Sequence, residues 1–232
     1  MAVDVTFNPL ALRRSVMLGQ KTGGVNGWNK RTITADADYT AGSTVTSLLS
    51  GFLPNEYRYA VVLADDTAEP EDGAFLGAVF LPTRADVHGV RWRSGAYDQR
   101  LILNAGGVDC RLMQGETVSM YWRTEPIGND EPETDWNYTC LTTDALSTAA
   151  AVKQELTGVG SWGLMISVLD FDFTSIPATH QAYCESITID SSSMTGTWIR
   201  SNNGTSYSTG SNWAASYGLK TEAGSKIACF YI

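Results

Sequence analysis

Short apolar or alternating segments, each about the length of a β-strand, dominate the sequence and are separated by Gly, Pro, Asn and Asp. This pattern is typical of strands bounded by turns. The segments lie at 58–64, 74–81, 99–103, 108–113, 117–123, 163–173, 186–190, 196–200 and 226–232. Helices do not follow most of them, as a doubly wound α/β fold would require. The pattern therefore predicts an all-β fold, an antiparallel β-sandwich or a jelly-roll-like arrangement.

Three of these segments, 99–103, 108–113 and 117–123, follow one another closely in the chain. Their connectors, NAGG and QGE, are short enough to predict that the three strands pair consecutively as a meander. In the last segment, apolar side chains alternate with Ser119 and Tyr121. Because successive residues of a strand point to opposite faces, this alternation predicts a strand that is buried on one face.

One segment, 143–156, has the spacing of an amphipathic helix. Thr143 or Asp144 can cap its start, and a glycine follows its end. Its narrow apolar stripe predicts a helix that packs on a sheet or across the end of a barrel. We interpret residues 1–232 as a single β domain, with the acidic, proline-containing loop 126–135 as the best candidate for an internal boundary.

Composition and charge narrow the classes of function. Hydrophobic residues make up 43% of the 232 and charged residues 18%, so there is enough apolar material for a core. The net charge is −9 and the basic residues are scattered, which disfavours nucleic-acid binding. An acidic surface also opposes adhesion to anionic membranes. The sequence has neither a signal-peptide pattern nor a long apolar run, so we expect a chain made in a cytoplasm without membrane insertion.

Candidate groups for nucleophilic catalysis are sparse. The sequence has no GxSxG motif, and its two histidines differ in context, His88 in a predicted turn and His180 in a predicted loop. His180 and Cys184 have a spacing that a helix would bring together, but the local pattern is not helical. The cysteines form no CxxC pair, so we expect buried free thiols in preference to disulfides or a zinc site. The cysteines are Cys110, Cys140, Cys184 and Cys229.

Carboxylates offer two further candidates. Asp170 and Asp172 share one face of a predicted strand at about 7 Å, and glycosidases use acids at such separations. Two acidic loops could surround calcium, but a proline keeps each extended, so solvated loops are favoured. The loop residues are Asp65, Asp66, Glu69, Glu71 and Asp72, then Asp130, Glu131, Glu133 and Asp135. Because solvent-facing aspartates are the simpler interpretation, we expect no catalytic residue, no metal and no cofactor.

Residues 191–219 offer chemistry of another kind. Arg200 is their only charged residue, and most of the others are Ser, Thr, Asn or Gly. Aromatic rings supply flat apolar area, and small polar side chains supply adaptable hydrogen bonds. The sequence therefore predicts ligand or partner contacts by the aromatic residues of this segment. They are Trp198, Tyr207, Trp213 and Tyr217.

Three features of the sequence together give it a resemblance to one class of proteins. They are a Met1 start without an export signal, the polar stretch GTWIRSNNGTSYSTGSNW, and an ending on the predicted strand KIACFYI. The sequence resembles bacteriophage virion β-proteins of the tail, baseplate, receptor-binding or capsid-decorating kind. The resemblance is one of general character and not of motif, so it transfers no functional residue. It implies a location in the virion and symmetric self-assembly through strand edges or loops.

The leading hypothesis is a non-enzymatic structural virion protein that forms homo-oligomers, contacts other virion proteins and attaches to a host-surface glycan. The first alternative is a carbohydrate-binding β-sandwich whose platform is formed by Trp198, Tyr207 and Trp213. The second is a glycan hydrolase that uses Asp170 or Asp172 with a distant acid.

Overall fold

The computed structural model describes residues 27–68, 70–82, 85–142, 163–169, 183–190, 194–200, 206–210, 224 and 226–232. At 99, 100 and 169, and in the strands between 183 and 210, it describes the backbone alone. The predicted helix at 143–156 lies outside these residues, as does the predicted strand beyond Leu169.

Strands make up most of the described residues. In chain order the elements are β1 (Asn29–Thr34), β2 (Tyr39–Ala41), α1 (Gly42–Ser50), β3 (Tyr59–Ala64), β4 (Phe75–Phe80), β5 (His88–Arg93), β6 (Ala96–Ile102), β7 (Asp109–Leu112), β8 (Thr117–Arg123), β9 (Asn137–Thr142), β10 (Leu164–Leu169), β11 (Tyr183–Asp190), β12 (Met194–Arg200), β13 (Ser206–Gly210) and β14 (Lys226–Tyr231). Every predicted strand segment coincides with one of these strands. The pattern did not predict β1, β2, β5, β9, β13 or α1.

Twelve strands form two antiparallel sheets of six. The first sheet has the order β1-β8-β3-β4-β5-β6, and the second has the order β13-β12-β11-β10-β14-β9. At the centre of the first sheet, Val61 of β3 lies opposite both Tyr121 of β8 and Val79 of β4. In the second, Ser167 of β10 lies opposite Cys229 of β14. The chain passes from the first sheet to the second between β8 and β9, and the predicted all-β sandwich is confirmed.

The predicted meander of β6, β7 and β8 is wrong. Strand β6 pairs with β5, β8 pairs with β1 and β3, and β7 leaves the sheet to pair with β2. Backbone groups around β7 find hydrogen-bond partners in this layer. The Gly42 N–H donates to the carbonyl of Val108, and the Arg111 N–H donates to the carbonyl of Gly73. Short connectors bring strand ends close together, but they do not decide which strands pair.

Helix α1 has the sequence GSTVTSLLS, which is rich in small polar and β-branched residues of modest helix propensity. The Thr44 hydroxyl donates to the Ala41 carbonyl at 2.7 Å and accepts from the Ala41 N–H at 3.3 Å, which fixes the start of the helix. Its buried residues include Val45 and Leu49, which pack against the first sheet. Tertiary packing therefore stabilises a helix that its own sequence predicts weakly.

The first sheet is buried on both faces. Toward the second sheet, the large buried residues are Trp28, Tyr59, Tyr121, Trp136 and Phe230, with Ile166 and Val168 among their aliphatic neighbours. Toward α1 and the small β2–β7 sheet, they include Ile33, Leu49, Phe75, Met120 and Trp122. The described residues therefore form three layers: the second sheet, the first sheet, and the layer of α1 with β2 and β7.

Layers on both sides of the first sheet correct the prediction for β8: Met120 and Trp122 pack toward α1, and Tyr121 packs toward the second sheet. Ser119 is 3% exposed and Tyr121 is 2% exposed, so the strand is buried on both faces and not on one. The layers also approach closely. A Cβ atom on Gly77 of β4 would lie 2.2 Å from Cδ1 of Ile166 on the second sheet. A side chain at position 77 would therefore displace the end of the buried Ile166 side chain, so glycine favours the close crossing of these two strands.

Candidate functional site

The four predicted contact residues fall in the least described part of the chain. Trp213 and Tyr217 lie outside the described residues, and for Trp198 and Tyr207 the backbone alone is described. Trp198 of β12 lies opposite Ser208, and Tyr207 of β13 lies opposite Ile199. Paired positions of a ladder share a face and successive positions alternate, so 198 and 207 fall on opposite faces of the ladder. Contact by these four residues stays a prediction.

Several other candidates also lie outside the described residues. They are Glu69, Asp170, Asp172 and His180. His88 does not lie in a turn, contrary to the prediction: it begins β5, opposite Val79 and Ile102, and is half-buried. The histidine stands in a strand because its segment, HGVRWR, is paired on both sides, with β4 and with β6, and is buried from Gly89 to Arg91.

The described carboxylates of the acidic loops accept hydrogen bonds that fix local structure. Oδ1 of Asp66 accepts the N–H of Ala68 at 3.0 Å, and Oδ1 of Asp72 accepts the N–H of Ser94 at 2.5 Å. Ser94 has φ of 52°, in the left-handed region, so the bond from Asp72 holds a tight β5–β6 turn. Within the described residues no three His, Cys, Asp or Glu groups are placed to hold a metal.

The side chains of three cysteines are described, and all three are free thiols; Cys184 is described by its backbone alone. Cys110 and Cys229 are buried, as expected, whereas Cys140 is only half-buried. Burial raises the pKa of Cys110 to about 12, although the nearby Arg91 opposes the shift. Burial also raises the pKa of Cys140 and of Cys229. Since the thiolate is the reactive form, these groups are poor nucleophiles near neutral pH.

A buried arginine joins the first sheet to the third layer. The side chain of Arg91 is 7% exposed, and its Nε and Nη2 donate to Oδ2 of Asp98 at 3.1 and 3.0 Å. Its Nη1 donates to the backbone carbonyl of Asp109 in β7. The guanidinium thus connects β5, β6 and β7.

A second buried arginine lies at the end of the sandwich. Nη1 of Arg123 donates to Oδ2 of Asp130 at 2.8 Å, and its guanidinium lies 5.4 Å from the ring centroid of Trp28. Trp28 in turn packs on Tyr59 and Phe230 at centroid distances of 6.0 and 5.6 Å. The sequence did not single out either arginine, although Arg91 lies between Val90 and Trp92 and Arg123 follows the apolar run of TVSMYWR.

Two cavities of similar size lie on the surface of the described structure. The first has a volume of about 590 Å³ and lies between α1 and the segment that joins β4 to β5. It is lined by Ser43, Ser47, Ser50, Tyr57 and Asn104, over a floor that includes Phe80. The second, of about 640 Å³, lies where β3, β4 and the β7–β8 turn meet. Its lining includes Asp66, Glu71 and Glu116, together with Gln114.

Around the second cavity, carboxylates accept hydrogen bonds from backbone groups of the same chain. Oε2 of Glu116 accepts the N–H of Met113 at 2.6 Å, and Oδ1 of Asp38 accepts the N–H of Gln114 at 3.0 Å. These carboxylates shape the β7–β8 turn. The first cavity differs, because the polar groups named in its lining are hydroxyls and an amide.

Comparisons with protein-family models, with curated proteins and with solved structures found no match. The argument for function therefore rests on the chemistry of the described residues and on the order of the strands. In the described part of the chain, no helix combines the length and the apolar composition needed to cross a membrane.

Proposed function

We propose that the protein is a non-enzymatic structural component of a bacteriophage virion, at the tail, the baseplate or the capsid surface, and that it assembles with copies of itself. Support comes first from how its polar groups are used. Arg91, Arg123, Asp72 and Glu116 all bond to groups of the same chain that fix strands and turns. Such groups contribute to a rigid building block.

The observation that carries the proposal is the composition of the outer strands. In the first sheet, β1 (NKRTIT) contains Lys30 and Arg31, and β6 (AYDQRLI) contains Asp98 and Arg100. In the second sheet, β9 (NYTCLT) and β13 (SYSTG) contain no charged residue and no proline. Charges and prolines on outer strands oppose pairing between molecules, so the second sheet lacks the protection that the first has.

The two uncharged strands lie at opposite ends of the second sheet. Pairing β9 of one copy with β13 of the next is a head-to-tail contact. Repeated contacts of this kind close into a ring when the rotation between neighbouring subunits permits it. Such pairing would continue one antiparallel sheet from subunit to subunit and satisfy the outer backbone groups. A ring of this kind suits a virion component.

Size-exclusion chromatography with light scattering on the full chain tests the proposal. We expect a defined oligomer at micromolar concentration that Thr139→Lys in β9 dissociates into monomers. The matched control is Thr32→Lys in β1, which adds the same charge to the protected sheet and should leave the oligomer intact. A monomeric wild type contradicts the proposal, as does equal dissociation by both variants while thermal unfolding shows both to be folded.

A further inference from the structure

The cavity beside α1 is built from two kinds of surface. Its floor is apolar and includes Phe80, Leu81 and Val87, all of which are buried. Its rim is polar: Ser43 and Ser47 lie one helical turn apart on α1, and Asn104 faces them from the β6–β7 connection. A volume of about 590 Å³ falls in the range of small-molecule sites, about 300–1,000 Å³.

The wall opposite α1 is held in place by Asn104. Its Nδ2 donates to the Ala85 carbonyl at 2.6 Å, and its Oδ1 accepts the N–H of Val87 at 3.0 Å. An asparagine side chain has two N–H donors and two lone pairs on its oxygen, so one of each remains after these bonds. The amide therefore fixes the wall and keeps bonding capacity at its exposed end.

The second cavity has a similar volume, about 640 Å³, and therefore serves as a comparison for the first. Its described lining contains Asp66, Glu71 and Glu116, and the protein as a whole carries a net charge of −9. The described lining of the first cavity contains neither a carboxylate nor a basic group, but it contains the hydroxyls of Ser43, Ser47, Ser50 and Tyr57. In its described lining, the concavity of this acidic protein is therefore uncharged and hydroxyl-rich.

From this arrangement we infer that the cavity between α1 and the β4–β5 segment binds a neutral polyhydroxylated ligand, such as one sugar residue of a glycan. Sugars combine hydroxyl edges with apolar C–H faces. The serine and asparagine rim matches the hydroxyls, and the half-buried Leu53 and Tyr57, which also line the cavity, match the C–H face. The site lies on the α1 side of the first sheet, away from the second sheet, so the inference does not depend on assembly.

The test is an amide-resolved NMR titration of the full chain with neutral methyl hexopyranosides and N-acetylglucosamine. Probes are raised to about 10 mM, tenfold above a millimolar Kd. We expect shifts in the amides of α1 and of Asn104. N-acetylneuraminic acid and glucosamine, which are charged, should bind at least about tenfold more weakly.

Two variants locate the binding. Ser47→Phe places a ring in the cavity from an exposed helix position, and we expect at least a tenfold loss of affinity. Gln114→Phe makes a comparable change in the second cavity and should bind as the wild type does. Thermal unfolding of both variants verifies folding. Thr139→Lys, which addresses assembly, should also retain binding, so the failure of one proposal leaves the other standing.

Three outcomes would overturn the inference. One is the absence of shifts around α1 with every neutral glycoside. Another is equal binding by Ser47→Phe and the wild type. The third is stronger binding of indole than of any glycoside, which would make the cavity an apolar site.

Discussion

The two faces of the first sheet are stabilised in different ways. The face toward the second sheet packs rings on rings, and Phe230 of β14 contacts Trp28, Tyr121 and Tyr138 at centroid distances of 5.6, 5.6 and 5.1 Å. The face toward α1 packs mainly aliphatic and isolated aromatic side chains. Polar connections also hold it, including Arg91 to the Asp109 carbonyl and the Gly42 N–H to the Val108 carbonyl.

The difference follows from how the covering layers are made. Where its side chains are described, the second sheet presents alternate positions of β9, β10 and β14 to the first sheet, so large rings can interdigitate. The third layer is a nine-residue helix and two short strands, and directional hydrogen bonds help to hold it in position. The substitutions below test this contrast.

The largest effect is expected at the ring-packed face. Phe230→Ala should lower the free energy of unfolding by about 4–5 kcal/mol, because it removes a fully buried side chain and three ring contacts. Phe75→Ala on the opposite face removes the same side chain without those contacts, and about 3 kcal/mol is expected. Urea unfolding measures both. Equal losses would show that ring contacts add nothing to this face.

A smaller effect is expected at the polar connections of the opposite face. Asp98→Asn keeps the shape but removes the charge that faces the buried Arg91, and a loss of about 2 kcal/mol is expected. The control is Asp109→Asn: its carboxylate lies 3.6 Å from Arg111, both side chains are nearly half exposed, and less than about 1 kcal/mol is expected. Thermal unfolding compares the two. A larger loss for Asp109→Asn would contradict the assignment of Asp98 as Arg91's stabilising partner.

Sequence pattern predicted strands well where apolar residues run together, because burial of β3 and β4 leaves continuous apolar segments. The sequence pattern failed for elements whose formation depends on packing against other parts of the fold. Strand β1 (NKRTIT) looks polar because it is an outer strand, and α1 looks unlike a helix because packing of Val45 and Leu49 stabilises it. Pairing could not be predicted either, since NAGG and QGE lead β7 into another layer.

The candidate site was less predictable than the fold. The sequence drew attention to aromatic residues in 191–219, whereas the cavity proposed to bind a sugar is lined by serines of α1 and by Asn104. No local motif distinguishes these residues, because what makes the cavity is the gap between a helix and a loop about 40 to 60 residues apart in the chain. A cavity of this kind is a property of the tertiary structure.

The smallest effect concerns Cys110, which lies in the core of the α1 side. Burial raises its pKa from 9.0 to about 12, so the folded state holds the thiol proton more tightly than the unfolded chain does. Its contribution to stability is complete below pH 9 and is lost as pH rises from 9 toward 12. Relative to Cys110→Ala, the wild type should lose about 1 kcal/mol more between pH 9 and pH 10, measured by urea unfolding. If the wild type and Cys110→Ala gave parallel pH profiles, the Cys110 thiol would have the same pKa in the folded and unfolded states. Water would then reach the packing around Cys110, in contrast to the ring-packed face.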